Sequence, residues 1–178
     1  EGIKSVKTEK IEEDDTNPYV TINDLKFKNG VIECDVKSKL LPGSGEGARG
    51  FIGISFRIDD LDREFKGFYI RPTKGKGCTN AFRRAHSCQY FAYPGYIWSY
   101  YREHGIDDYE APVETIALDE WAHIKAEIVD DHASFYVNNE LVLEVNGMQH
   151  TPRAGRIGFN THIDSECYFK NLRVEILD

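Results

Sequence analysis

The sequence predicts an all-β protein, a two-sheet antiparallel β-sandwich of the jelly-roll type, and three observations carry that prediction. From Tyr19 onward apolar residues recur with a period of two rather than 3.6. Fifteen Gly and six Pro are scattered singly, as punctuation between many short strands. Ten Phe, ten Tyr and two Trp stand against one Met, and Phe and Tyr favour half-buried pleated surfaces. No stretch supports a helix longer than a turn or two, and no repeat or internal boundary is visible. The 178 residues are therefore read as one domain, 1–178, with a charged N-terminal segment over 1–17 that is frayed or lies at an edge.

The elements follow in order. Val20 and Ile22 alternate with Thr21 and Asn23; Asn29-Gly30 is a tight-turn signal; Ile32, Cys34 and Val36 then alternate with Glu33, Asp35 and Lys37. A glycine-rich loop fills 41–50. In the strand 51–59, Ile52, Ile54, Phe56 and Ile58 share one face and Gly53, Ser55 and Arg57 the other. Phe68 and Ile70 face opposite to Tyr69 and Arg71, and Pro72 ends that strand. A basic loop covers 74–87. Two aromatic strands, 89–93 and 96–101, are joined by Pro94-Gly95. Later, Trp121, Ile124, Ala126 and Ile128 form a buried stripe, with Phe135, Val137, Leu143 and Val145 as its neighbours. Asn138-Asn139 supplies the positive φ of the turn between them. Residues 156–160 and 167–176 close the chain.

Thirty Asp and Glu against 22 Lys and Arg give a formal net charge of −8, which argues against nucleic acid as a partner. No apolar run approaches the roughly 20 residues of a membrane-spanning helix. The sequence opens at Glu1 without a Met or an apolar leader. That fits an exported protein, secreted, periplasmic or at the cell surface, whose signal peptide has been removed, or a chain that omits it. Cys34, Cys78, Cys88 and Cys167 form no C-x-x-C pair, so a zinc site is not indicated. They are four idle thiols or, in an exported protein, one or two disulfides, with Cys78–Cys88 the better pair because it flanks a polar loop. The six His lack H-x-H or H-x-x-x-H spacing, so no cofactor is expected. The acidic turns at Asp59, Asp60 and Asp62, at Asp107 and Asp108, and at Asp130 and Asp131 leave Ca²⁺ open, without an EF-hand pattern.

The order NGVIECDV, GFIGISFRI, FYIRP, a QY and W-x-x-Y region, EWAHIKAEIVDDHASFYVNNELVLEV, GRIGF and YFKNLRV resembles the concanavalin A-like lectin/glucanase superfamily. Within it the chain is similar to laminin-G-like and family 16 glycoside-hydrolase-like domains and to the 3-keto-disaccharide hydrolase-like domain, from about Asn29 to the C-terminus. The resemblance implies the sandwich fold but not an activity, because the same scaffold carries lectins, glucanases and interaction domains. A retaining glucanase of family 16 needs E-x-D-x-x-E on one strand, with two of those carboxylates about 5 Å apart as nucleophile and acid/base. Here Glu33-Cys34-Asp35 is followed by Ser38 at the third position. These carboxylates read as the exposed face of an edge or back strand.

The expected site is one concave face of a sheet. Arg57, Tyr69, Arg71, Trp98 and Tyr100 would come together there from separate strands, with Gln89 or Tyr90 joining according to register; Tyr90 completes the ligand-binding set. Sugars suit such a patch, because pyranose C–H faces stack on aromatic rings while Arg and Gln bind hydroxyls in fixed planes. Alternatively the arginines pair with carboxylates and Trp98 is core. Arg83, Arg84 and His86 in the 78–88 loop add positive charge on the rim, suited to an acidic sugar or sulfate, or a solvated loop. If the chain is a hydrolase, the carboxylates left by elimination are Glu103, Asp107, Asp108 and Glu110. The expected function is thus an exported carbohydrate-binding domain. The alternatives are a glycoside hydrolase of the family 16-like or 3-keto-disaccharide type, and a structural interaction domain.

Overall fold

The computed structural model describes residues 2–6, 19–162 and 164–177; most of the charged 1–17 segment lies outside them. Among the described residues, twelve strands form two antiparallel six-stranded sheets. The first sheet has the order β1 (Gly2–Val6), β12 (Ser165–Leu177), β3 (Asn29–Leu40), β8 (Ala122–Val129), β9 (His132–Val137) and β10 (Glu140–Asn146). The second has the order β2 (Tyr19–Phe27), β11 (Gly155–Thr161), β4 (Ile52–Ile58), β5 (Phe65–Ile70), β6 (Cys88–Tyr93) and β7 (Glu110–Ala111). Two short helices, α1 (Ala81–Ala85) and α2 (Trp98–Glu103), and a 3-10 turn at Pro72–Lys74 complete the fold.

The alternation builds the core as expected. Ile32, Cys34 and Val36 of β3, and Ala122, Ile124, Ala126 and Ile128 of β8, meet Ile52, Ile54, Phe56, Phe68, Ile70 and Tyr90 from the other sheet. Phe135 is the hub between the sheets: it stacks on Phe68 with centroids 4.4 Å apart and also contacts Phe56 and Tyr90. Asn138 and Asn139 take φ of 50° and 67° at the β9–β10 reversal, as the turn requires. Trp121 departs from expectation. It lies at odd spacing from Ile124, so a strand cannot bury both; Ala122 takes the core position, and Trp121 is 42% exposed beneath the Lys37 and Lys170 ammonium groups. The first reversal also differs. Asn29 and Gly30 already belong to β3, and the chain turns at Lys28. Gly30 is needed for a close approach instead, since a Cβ there would lie 1.8 Å from the Glu175 carbonyl oxygen.

Two corrections alter the site. Arg57 has φ +52°, and the β4–β11 register slips between Arg156 and Gly158. This bulge breaks the period of two. Ile58 therefore leaves the core face and joins Phe65, Tyr69, Phe91 and Tyr101 on the outer face of the second sheet. Arg57 itself turns to the β2–β3 reversal, donating from Nε to the Lys28 carbonyl at 2.9 Å and from Nη2 to Asn29 Oδ1 at 3.2 Å. The 96–101 run is no strand: α2 begins at Trp98, and Tyr101 N–H donates to the Ile97 carbonyl at 3.2 Å. Ile97, Tyr100 and Tyr101 carry helical spacing, and packing of Tyr101 on the sheet decides for it.

The four cysteines are unpaired, contrary to the Cys78–Cys88 expectation. Cys88 sits in the core strand β6, whereas Cys78 lies in the loop against the Asn80 carbonyl. Burial pushes the Cys34, Cys88 and Cys167 thiols up to about 12, which leaves them protonated and inert. No helix among the described residues is long and apolar enough to cross a membrane.

Lys66 of β5 is fully buried and its Nζ has no hydrogen-bond partner. Burial, with Arg57 nearby, pushes it down from 10.5 to about 8. Between those values the unfolded chain holds the extra proton, so stability rises as pH climbs from about 8 toward 10.5. Lys66→Met should raise stability at pH 7 by about 2–3 kcal/mol and flatten that rise, as read by urea denaturation across pH 7–10.5. A loss of stability at every pH would contradict the assignment.

Candidate functional site

The outer face of the second sheet is not an open aromatic platform. Residues 96–109 fold back over it, and Tyr101, Ile106 and Tyr109 close a second small core on Phe65, Tyr69 and Phe91. What stays accessible is a cleft of about 350 Å³ at the Arg71 end of the sheet, lined by Gly47, Arg49, Phe51, Tyr69, Arg71, Lys74, Trp98, Arg102 and His162.

Strand register assembles the floor. Gly53, Tyr69, Gln89 and Glu110 are successive cross-strand partners on β4, β5, β6 and β7, so their side chains share the outward face. Arg71 follows β5 on the same face and reaches across that row. Its Nη1 donates to Glu110 Oε1 and to the His86 carbonyl, at 2.9 Å and 2.8 Å. Its Nη2 donates to the Tyr69 hydroxyl at 3.1 Å and to Gln89 Oε1. The Tyr69 hydroxyl in turn donates to Gln89 Oε1 at 2.7 Å. The guanidinium also lies over the Phe51 and Tyr69 rings, 5.6 Å and 5.0 Å from their centroids. Burial works against its charge, but Tyr69 and Glu110 outweigh that and hold Arg71 above its ordinary range.

Glu110 is the counter-charge for the whole cluster. Its side chain is 2% exposed, yet Arg71, Arg102 and His86 all reach it, at 2.9, 3.0 and 3.4 Å. No other Asp or Glu forms an ion pair with a cleft cation among the described residues. Lys74, in the 3-10 turn that Pro72 initiates, is buried in the cleft wall. Burial, and then the Arg71 charge, pushes its ammonium down to about 7. Phe51 packs on His162 with ring centroids 4.5 Å apart, forming the opposite wall. Trp98, 41% exposed, stands on the rim.

Of the expected residues, the structure brings Tyr69, Arg71 and Trp98 to one cleft and separates the other three. Tyr90 is in the core between the sheets, fully buried; the register gives the outward position to Gln89 instead. Arg57 is carried away by its bulge. Tyr100 packs on Tyr96 and His104 and does not line the cleft, because α2 turns it away from Trp98 where a strand would have aligned them. Of the carboxylates named by elimination, Glu110 is in the cluster, while Glu103, Asp107 and Asp108 are exposed. Glu33 and Asp35 lie on the first sheet, holding His123 between them at 3.1 Å and 2.8 Å. In the 78–88 loop, His86 turns inward to Glu110 and Arg84 pairs with Glu114 at 3.7 Å. Sequence reasoning missed Arg49, Phe51, Lys74, Arg102 and His162; of these, only Phe51 carried a strand-parity signal.

The 59–62 acidic turn is engaged by cations, Asp59 by Arg63, Asp60 by Lys26 and Asp62 by Arg156, and Asp130 lies 4.0 Å from Lys28. Among the described residues no group of three or more His, Cys, Asp or Glu is placed to hold a metal ion.

Over residues 2–175 the sequence matches the model of the 3-keto-alpha-glucoside-1,2-lyase-like domain. The chain belongs to this family. No curated protein sequence matches it. Among solved structures, a putative glycosyl hydrolase from Parabacteroides distasonis is 16% identical with a TM-score of 0.63, covering 99% of this chain and 87% of that one. The carbohydrate-binding module CBM66 from Bacillus subtilis is also 16% identical, with a TM-score of 0.60 over 90% of this chain and 97% of that one. The galectin LEC-6 from Caenorhabditis elegans is 11% identical, with a TM-score of 0.53 over 88% and 90%. At these identities the likeness establishes the concanavalin A-like sandwich for this family member and nothing finer.

If Glu110 is what allows Arg71 to be buried, Glu110→Gln should cost about 3 kcal/mol in chemical denaturation, because it leaves a buried cation uncompensated. The exposed Glu103→Gln should stay within about 0.5 kcal/mol. Equal effects of the two would contradict the assigned role.

Proposed function

We propose that this protein binds a carbohydrate in the Arg71 cleft. The observation that carries the reading is the combination found in one concave site. The Phe51 and Trp98 rings stand beside the guanidinium planes of Arg49 and Arg102, above a floor on which four partners hold Arg71. A sugar presents C–H faces and hydroxyls, and rings beside guanidinium planes suit both. The volume falls within the range of small-molecule sites. A secreted or cell-surface address belongs to the same reading, since polymeric glycans are met there; the buried, inert thiols are compatible with it.

The chain has two tryptophans, Trp98 on the cleft rim and Trp121 on the other sheet. Glycan binding should therefore give a saturable change in tryptophan emission that persists in Trp121→Phe and disappears in Trp98→Phe. Persistence of the signal in Trp98→Phe would move the site elsewhere.

A second reading is favoured by Lys74 and by the family's description as lyase-like. Two-carboxylate hydrolysis has no support in the cleft: no Asp or Glu lines it among the described residues, and Glu110 is committed to cations. A 1,2-elimination needs only one base. A ketone at C3 acidifies the C2 proton; a neutral Lys74 amine takes it, C1=C2 forms, the C1–O bond breaks and the departing oxygen is protonated. With Lys74 pushed to about 7, its neutral fraction grows through that pH, so the rate should rise to a plateau above it. On a 3-keto-glucoside, Lys74→Met should abolish release of the alcohol. Undiminished release by that variant would exclude Lys74 as the base.

A further inference from the structure

The charge balance of the cleft says more about its ligand than its shape does. Four cations, Arg49, Arg71, Lys74 and Arg102, line it. One carboxylate, Glu110, serves two of them. Among the described residues, Arg49 donates to the Glu46 and Ala48 carbonyls alone, and Lys74 makes no side-chain hydrogen bond or ion pair. Four cations and one carboxylate leave a net of two positive charges, three when Lys74 is protonated, at one point of a chain whose net charge is −8.

Such an arrangement is costly in the free protein. Lys74 is only 8% exposed, and Glu110, the carboxylate that favours its charge, is already shared by Arg71 and Arg102, so holding the ammonium there works against the fold. Neutral hydroxyls would offset little of that cost. A carboxylate or sulfate would offset much more, through charge-assisted hydrogen bonds that Arg49 and Arg102 can make in their guanidinium planes. We infer that the ligand is an acidic sugar, a uronate or a sulfated residue, whose anionic group sits between Arg49, Lys74 and Arg102 while its ring lies against Trp98. This rests on the carbohydrate reading above and narrows it. Binding also carries a proton signature: an anion beside Lys74 favours the ammonium, so the complex takes up a proton near neutral pH, and affinity falls as pH rises through about 7.

The test is titration calorimetry with matched methyl glycosides in the gluco, galacto and manno series. Each neutral sugar is compared with its uronate and its 6-sulfate, and acetate and inorganic sulfate are run alone. At least one acidic member should bind about tenfold tighter than its neutral twin, with the advantage shrinking at high salt and with proton uptake near pH 7. Lys74→Met should erase the advantage with no loss of melting temperature; Arg49→Gln should reduce it in a protein with unchanged circular dichroism. Equal binding of a neutral sugar and its acidic twin would overturn the acidic-ligand inference and leave carbohydrate binding standing. Binding of acetate or sulfate as tightly as the acidic sugars would leave an anion site and overturn the carbohydrate reading. Silence across the panel would overturn both.

Discussion

The buried ion pair between Arg71 and Glu110 is the constraint on which the working end of this molecule depends. Arg71 lies where β5 gives way to the Pro72 turn, and Glu110 lies on the two-residue edge strand β7. Neither charge could be buried alone at an acceptable cost. Together they tie the last two strand positions of the sheet to the His86 carbonyl and, through Arg102, to the end of α2. The same pair fixes a guanidinium plane against Phe51 and Tyr69. The cleft is therefore held by electrostatics on its floor and by aromatic packing on its wall.

The rest of the outward face is used differently. Ile58, displaced by the bulge at Arg57, and Phe65, Tyr69 and Phe91 offer an apolar surface that 96–109 covers. Aromatic content that would suit an exposed platform is mostly spent on this second core. Only Trp98, at the first position of α2, is left at the rim. The covering segment thereby determines both where the cleft lies and how small it is.

Much of the fold was legible because alternation is a direct record of which face of a strand is buried. Ile32 to Val36, Ile52 to Phe56, Phe68 to Ile70 and Ile124 to Ile128 all lie as the period of two requires. Failures arose where local pattern and tertiary packing conflict. Nothing in the sequence marks the positive φ at Arg57, so the period seemed to run on to Ile58. The run 96–101 satisfies both a strand and a helical period, and burial of Tyr101 settles the conflict. Trp121 has the hydrophobicity of a core residue at a spacing that places it outside. In the site, Tyr69 and Arg71 were legible from strand parity. Gln89 and Tyr90 needed a register that only pairing with β5 provides. Glu110 lies beyond the aromatic run, and nothing in the sequence shows that Arg71 meets it. Arg49, Lys74 and Arg102 come from loop, turn and helix, where sequence carries no periodicity to follow.

The chain belongs to the 3-keto-alpha-glucoside-1,2-lyase-like family, and its Arg71 cleft is poor in carboxylates and rich in cations. The cleft offers no pair of carboxylates among the described residues, and Lys74 is the lining group whose charge burial weakens most. The central claim is that ligand enters this cleft and no other surface. A crystal structure of the protein soaked with a uronate glycoside tests it most directly. The account predicts a sugar ring against Trp98, with its carboxylate within hydrogen-bond distance of Lys74 Nζ and the Arg49 or Arg102 guanidinium. A sugar seated instead over Trp121 and Tyr168 on the first sheet, with the Arg71 cleft holding only water, would contradict it.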